Sequence, residues 1–267
     1  MTKSQKAIIA AAGLFAILGA VPTKGFSANH KEMVTVPAGE FRMGCKDSDG
    51  VFCVPGANAH TVYLKEYKID KYMVTFDRYQ ECIDAGYCSE PYYGAACNYQ
   101  MSWAGDHPVN CITYEQAEQV CSYEGKRLPT EAEWAKAARG TDGRIYPWGN
   151  SPKSSCDLAV MNQKRGGKMG PGCGAGTTQP VGSKPKGVSP YGAMDMVGNL
   201  WEWTSDWYDD LPTSAQKNPK GPRWGDYKVL RGSSWTSRYQ DELALTVRFP
   251  YAPKGQGYVI GARCAAD

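Results

Sequence analysis

Histidine is nearly absent from this 267-residue chain, with His30, His60 and His107 as its whole supply. No two cysteines stand with the two-residue gap of a zinc ribbon or knuckle. Structural zinc needs four clustered thiolate or imidazole ligands, so both shortages argue against it. An apolar run of bilayer length is also missing: Ala7–Val21 holds about 15 residues, against the roughly 20 that a span needs. No internal repeat and no linker-like stretch divides the chain. Excess charge is missing too. The formal charge of +3 is matched by Lys3, Lys6 and Lys24, which lie in the first 27 residues with no acid among them. The remainder is neutral, so nothing calls for a nucleic-acid partner.

That N-terminal segment has its own signature. Two lysines precede the apolar run, and Gly25, Ser27 and Ala28 follow it. It reads as a secretory leader cleaved near Ser27, the alternative being a single anchoring helix. Residues 1–27 are therefore set apart as a signal peptide and 28–267 taken as one domain, secreted or periplasmic, with no membrane contact after cleavage. All ten cysteines fall in the exported part, and an even count in an oxidising compartment argues for disulfides. Spacing leaves roughly 945 pairings open. Short loops favour Cys45–Cys53, Cys82–Cys88 and Cys156–Cys173, with Cys97–Cys111 also compatible.

With 30 glycines and 17 prolines the chain is too rich in turn formers for a helical bundle, and 42% hydrophobic residues exclude disorder. Met33–Met43 alternates around a Pro-Ala-Gly turn and predicts two strands. His60–Ile69 alternates again, with Val62, Leu64, Tyr67 and Ile69 facing inward. Thr75, Thr113 with Gln116, and Thr130 with Glu133 are helix starts, the last two as capping boxes; Gly86 and Gly140 are stops. From Thr141 to Pro190 there is little periodicity, and Cys156 with Cys173 is suited to pin that stretch. Tyr227–Leu230, Leu243–Phe249 and Tyr258–Cys264 read as closing strands. The class expected is α+β, with much irregular backbone.

Five signatures occur in order: Gly125–Trp134 (GKRLPTEAEW) with Ala138–Gly140, Tyr146–Gly149 (YPWG), Met196–Thr204 (MVGNLWEWT), Val229–Gly232 (VLRG) and Gly261–Asp267 (GARCAAD). In these the chain resembles the formylglycine-generating enzyme, or sulfatase-modifying factor, family, which includes ergothioneine- and pyoverdine-pathway relatives. The resemblance spans about residues 33–267. It implies a C-type-lectin-like fold, low in regular structure and stabilised by calcium. It also implies a disulfide between Cys121 and Cys264.

Its implications for chemistry are selective. The family's copper oxidase uses two cysteines five positions apart; the matching residues here are Ser237 and Glu242. Hydroxyl and carboxylate oxygens are hard donors that do not suit Cu(I), so no copper is expected at that site. Val259 stands where the enzyme carries an asparagine. Matching cleft positions are Trp201, Ser234 and Arg238, with Ser237 beside them. Ser237 reads as a solvated loop hydroxyl, since no base can be assigned to it. His107, before Pro108, reads as loop structure. The iron-dependent relatives take their metal from a separate histidine-rich helical domain that has no counterpart here.

The resemblance also places a structural Ca²⁺ on Asp195, Gly198, Leu200 and Glu202, two carboxylates and two carbonyls, against the plainer reading of a turn with solvated acids. A second calcium loop falls near Asp157 and Leu158, where Cys156–Cys173 stands as a substitute. Tyr87, Tyr92, Tyr93, Tyr99 and Trp103 lie in or near a cysteine-bounded insert, suited either to packing on disulfides or to protein and glycan contact. Trp134, Trp148, Trp201 and Trp203 read as core or cleft wall. The function expected is a non-copper binding or scaffold protein whose cleft recognises a peptide, glycan or protein. The alternatives are an oxidoreductase with a rebuilt active site and a maturation factor for sulfatase-like substrates.

Overall fold

The computed structural model describes residues 30–99, 101–150, 154–163 and 170–267. The expected leader and its cleavage site at Ser27 lie outside the described residues. Among the described residues there are ten short strands, three helices and long irregular stretches. In order these are β1 (Met33–Val36), β2 (Gly39–Met43), β3 (His60–Leu64), β4 (Tyr67–Asp70), α1 (Phe76–Asp84), α2 (Tyr114–Tyr123), α3 (Glu131–Arg139), β5 (Trp201–Trp207), β6 (Gln216–Lys217), β7 (Lys228–Arg231), β8 (Arg248–Tyr251), β9 (Ile260–Gly261) and β10 (Ala265–Ala266).

The strands form three small sheets, ordered β1-β4-β10, β2-β3-β6 and β8-β7-β5-β9. The two opening strands predicted around Pro37 exist, but they do not pair with each other. β1 pairs with β4 and β2 with β3, so the turn passes the chain between sheets. Val62, Leu64, Tyr67 and Ile69 are all buried, as their alternation requires. Thr75 accepts from the Arg78 amide, and Thr113/Gln116 and Thr130/Glu133 form reciprocal capping boxes.

Helix α3 is the hub. Every one of its residues is buried, Trp134 completely, and it touches β2, β3, β4, β5 and β7. Its charged residues must therefore find partners inside the protein. Glu131 meets Arg248 and Arg231, and Glu133 meets Arg127. Lys136 donates to the carbonyls of Pro37 and Gly39, and Arg139 to that of Gly44. These bonds tie the helix to the first two sheets and to β7–β8.

The closing strands depart from expectation. Gln240–Leu243 is a 3₁₀ turn, and the strand begins only at Arg248, because Leu243, Ala244 and Leu245 pack into the core rather than into a ladder. Tyr258–Cys264 contributes a ladder only at Ile260–Gly261; beyond it the Cys264 amide donates to the Asp70 carboxylate instead. Five disulfides join Cys45–Cys53, Cys82–Cys88, Cys97–Cys111, Cys121–Cys264 and Cys156–Cys173. Cys156–Cys173 pins the aperiodic stretch, whose regular structure among the described residues is two 3₁₀ turns.

Candidate functional site

The segment after β7 doubles back tightly. Ser233 sits at φ 62°, and the Ser237 amide donates to the Ser234 carbonyl. The Ser237 hydroxyl accepts from the Ser234 amide at 3.2 Å, while the Ser234 and Thr236 hydroxyls bond to each other at 2.9 Å. Ser237 is thus not a solvated loop hydroxyl. It is buried and holds the loop closed on itself. Glu242 accepts from the amides of Arg238 and Tyr239 and caps the following 3₁₀ turn. The two positions that would carry a soft metal thus hold hard oxygens engaged with their own backbone, a set that does not fit copper. The Arg238 side chain is exposed.

Trp201, on β5, is half-buried and lies 5.8 Å from the Phe249 ring on β8; Trp235 and Tyr258 form a second pair at 5.8 Å. Phe249 and Tyr258 are each about half exposed, so one ring of each pair faces solvent. Val259 packs half-buried against the same apolar clusters. In the insert, Tyr87, Tyr92, Tyr93 and Trp103 are exposed, whereas Tyr99 is buried beside Phe76. His107 is buried on Thr178, and burial lowers its pKa.

The Met196–Thr204 signature, absent from the expected strands, contains most of the longest one, β5 (Trp201–Trp207). Before it, Asp195, Gly198 and Asn199 all have positive φ. Gly198 has no room for a side chain, since a Cβ there would lie 2.5 Å from the Val160 carbonyl oxygen. The turn is bonded to the loop after β7 by Gly198 N–H to the Gly232 carbonyl and Trp235 N–H to the Asn199 carbonyl, each 2.8 Å.

Neither acid of this turn is solvated. Asp195 accepts from the Gly182 amide through Oδ2, and burial pushes its carboxyl up to about 6. Glu202 is fully buried and held by Arg263 and by Trp134 Nε1. The Gly198 and Leu200 carbonyls accept no backbone hydrogen bond among the described residues. A hard cation is suited by the free Asp195 Oδ1 and these two carbonyls, while Glu202 is already committed to a guanidinium. Sequence reasoning missed that commitment, because Arg263 lies 61 residues away. Near the second expected loop, Asp157 is exposed, and the adjacent Cys156 is disulfide-bonded. The cluster of Asp70, Glu124 and Cys264 has metal-like spacing but is closed by Arg78, by Lys126 and by the disulfide.

Three small sheets around a buried helix, cross-linked by five disulfides, with the Gly-Asn-x-Trp-Glu turn leading into the interior strand β5, define an α+β domain of the formylglycine-generating-enzyme type. Residues 20–267 match the Sulfatase-modifying factor enzyme 1-like domain (FGE-sulfatase), and the chain belongs to that family. It is 30% identical to the formylglycine-generating enzyme of Bos taurus, over 93% of this chain and 78% of that protein. It is also 30% identical to hercynine oxygenase of Mycolicibacterium smegmatis, over 76% of this chain and 54% of that protein. Among solved structures, PvdO from Pseudomonas aeruginosa superposes with a TM-score of 0.71 at 25% identity, covering 88% of this chain and 94% of that one.

Proposed function

We propose that this chain is an exported binding or scaffold member of the family, without copper chemistry, whose aromatic cleft recognises a peptide, glycan or protein. One observation carries the reading. The positions of the thiol pair hold Ser237 and Glu242, both bonded into their own loop, while all ten cysteines are in disulfides. No thiol is left to hold a soft metal or to exchange with a substrate cysteine. The half-exposed rings of Phe249 and Tyr258, with the half-buried Trp201 beside Phe249, supply large contact area at low conformational cost, the property that enriches aromatics at recognition surfaces. Export is supported by the leader-like N-terminus and by the disulfide density, which suits an oxidising compartment. Among the described residues no helix is long and apolar enough to cross a membrane.

The test is metal analysis of purified protein, paired with an assay on a sulfatase-motif cysteine peptide with copper supplied. The expected result is no retained copper and no conversion to the aldehyde. Stoichiometric copper or iron with turnover would replace this reading with an oxidoreductase whose active site has been rebuilt. Aldehyde formation would make the chain a maturation factor.

A further inference from the structure

Away from the two aromatic pairs, a cavity of about 280 Å³ opens between α3, the end of β5 and the loop at 219–222. Its walls are apolar at Met43, Ala132, Leu211 and Pro212. Of its charged residues, Glu131 and Arg248 neutralise each other through two hydrogen bonds of 2.8 and 2.7 Å. That leaves Asp206, Asp209 and Asp210 against Lys220 alone.

Two buried side chains in this wall each keep an unused acceptor. Asp206, 5% exposed, accepts from the Glu131 amide and the Ser205 hydroxyl, both through Oδ2, and Oδ1 makes no hydrogen bond. Gly221, at φ 67°, covers this oxygen without blocking it; a Cβ there would lie 2.8 Å from Oδ1. His60, 6% exposed, directs Nδ1 to the Asn58 carbonyl at 3.0 Å. That bond places the proton on Nδ1 and leaves Nε2 as a free lone pair.

We propose that this cavity binds a primary alkylammonium group, a lysyl side chain or a free aliphatic amine, with Asp206 Oδ1 and His60 Nε2 as acceptors. An ammonium fits better than a guanidinium. With Oδ2 already committed, Asp206 offers one oxygen and cannot receive a planar bidentate fork, whereas an ammonium donates to separate single acceptors. The apolar walls accommodate a methylene stem.

Protonation follows from the same geometry. Burial, with the Glu131 charge beside it, pushes the Asp206 carboxyl up to about 7. The charged and titratable groups around it are Glu131 and Glu133 of α3, Tyr114 of α2, Lys228 of β7, Arg248 of β8, Asp209 and Asp210 after β5, Lys220 of the covering loop and His60 of β3. A cationic ligand favours the carboxylate, so binding releases a proton near neutrality.

Calorimetric titration of the purified chain with n-pentylamine at about pH 8 tests the site, with pentanol and hexanoate as neutral and anionic counterparts of similar length. Saturable amine binding is expected, at least tenfold tighter than pentanol, with no hexanoate binding. Affinity should fall on the order of 30-fold between about pH 8 and pH 5.5, the loss of ionised carboxylate for a group titrating near 7. Asp206→Asn should weaken binding at least tenfold and remove the pH dependence, whereas His60→Gln should retain that dependence. If Asp206→Asn fails to fold, Gly221→Asn decides. It tolerates the left-handed backbone, and its Cβ, 2.8 Å from both Cβ and Oδ1 of Asp206, crowds that oxygen from the covering loop while keeping the carboxylate, so it should likewise weaken binding at least tenfold. Nα-acetyl-lysine N-methylamide binding as tightly as pentylamine would make a lysyl side chain the ligand; its exclusion while spermidine binds would make it a free amine. Equal binding of pentanol, preference for hexanoate, or amine binding indifferent to both Asp206→Asn and Gly221→Asn would overturn the proposal.

Discussion

Arg263 grips Glu202 through two hydrogen bonds, Nε to Oε2 at 2.6 Å and Nη2 to Oε1 at 2.7 Å, with both side chains wholly shielded from solvent. Trp134 Nε1 adds a third bond to Oε2, and Arg263 also donates to the carbonyls of Asp70 and Met194. The pair therefore joins β4, α3, β5 and the C-terminal segment at one point.

Glu202→Ala leaves a buried guanidinium without its counter-charge. Breaking such a pair from one side costs about 3–5 kcal/mol. Urea denaturation should show this loss equally in calcium and in chelator. A loss confined to calcium-containing buffer would make Glu202 a metal ligand first.

Calcium, if held by Asp195 and the Gly198 and Leu200 carbonyls, stabilises the fold by mass action, roughly 2.7 kcal/mol at 100 times its Kd. The melting temperature of chelator-treated protein should rise on adding calcium and respond poorly to magnesium, which demands a tighter octahedron. Asp195→Ala should abolish the rise. A melting temperature indifferent to both ions, with flat calorimetry, would leave Asp195 a buried turn acid.

The bond between Cys121 and Cys264 closes a separation of 143 residues, and both cysteines are fully buried. Loop-closure entropy assigns such a link about 5 kcal/mol. The Cys121→Ser, Cys264→Ser double variant should lose a large part of that stability in denaturant titration. Non-reducing peptide mapping of the parent chain should recover the two cysteines in one linked pair.

The acids predict an unusual pH profile. Burial raises Asp195 from 3.8 to about 6 and Asp206 from 3.8 to about 7. A raised native pKa means the folded state holds its proton more tightly than the unfolded chain does. That stabilisation is complete below the unfolded value and is lost as pH rises through 6 and 7. Ion-paired Glu124 and Asp49 are shifted down, so they weaken the fold only on the acid side of the ordinary carboxylate range. His30 and His107, whose burial lowers their pKa, oppose this trend as pH falls through the ordinary histidine value. In chelator, the difference in melting temperature between about pH 5 and about pH 8 should therefore be more positive for the parent than for Asp206→Asn; an unchanged difference in that variant would contradict the raised carboxyl.

Much was legible along the chain because it depends on neighbours. The capping boxes at Thr113/Gln116 and Thr130/Glu133 are three-residue reciprocities, and the inward faces of β3 and β4 follow from alternation. Short cysteine separations favoured three of the disulfides for the same reason and were compatible with a fourth, Cys97–Cys111, since nearby residues close small loops readily. The ordered signatures indicated the family, and Ser237 and Glu242 could be read as non-thiols by position alone.

Strand β5 was not legible, and its polar residues show why. Glu202, Thr204 and Asp206 lie on one face of an interior strand, and that polar face is the buried one. Each is tolerated because a distant partner satisfies it: Arg263, the Val229 carbonyl and the Glu131 amide. The amino-acid sequence by itself determined the helix starts, the turn positions and the loss of the thiol pair, all of which rest on residue type and short spacing. Only the tertiary structure decided that Glu202 faces a guanidinium, that Ser237 is buried, and that Asp206 and His60 share a cavity. Burial and hydrogen-bond partners over such separations are properties of the packed chain, and no local pattern encodes them.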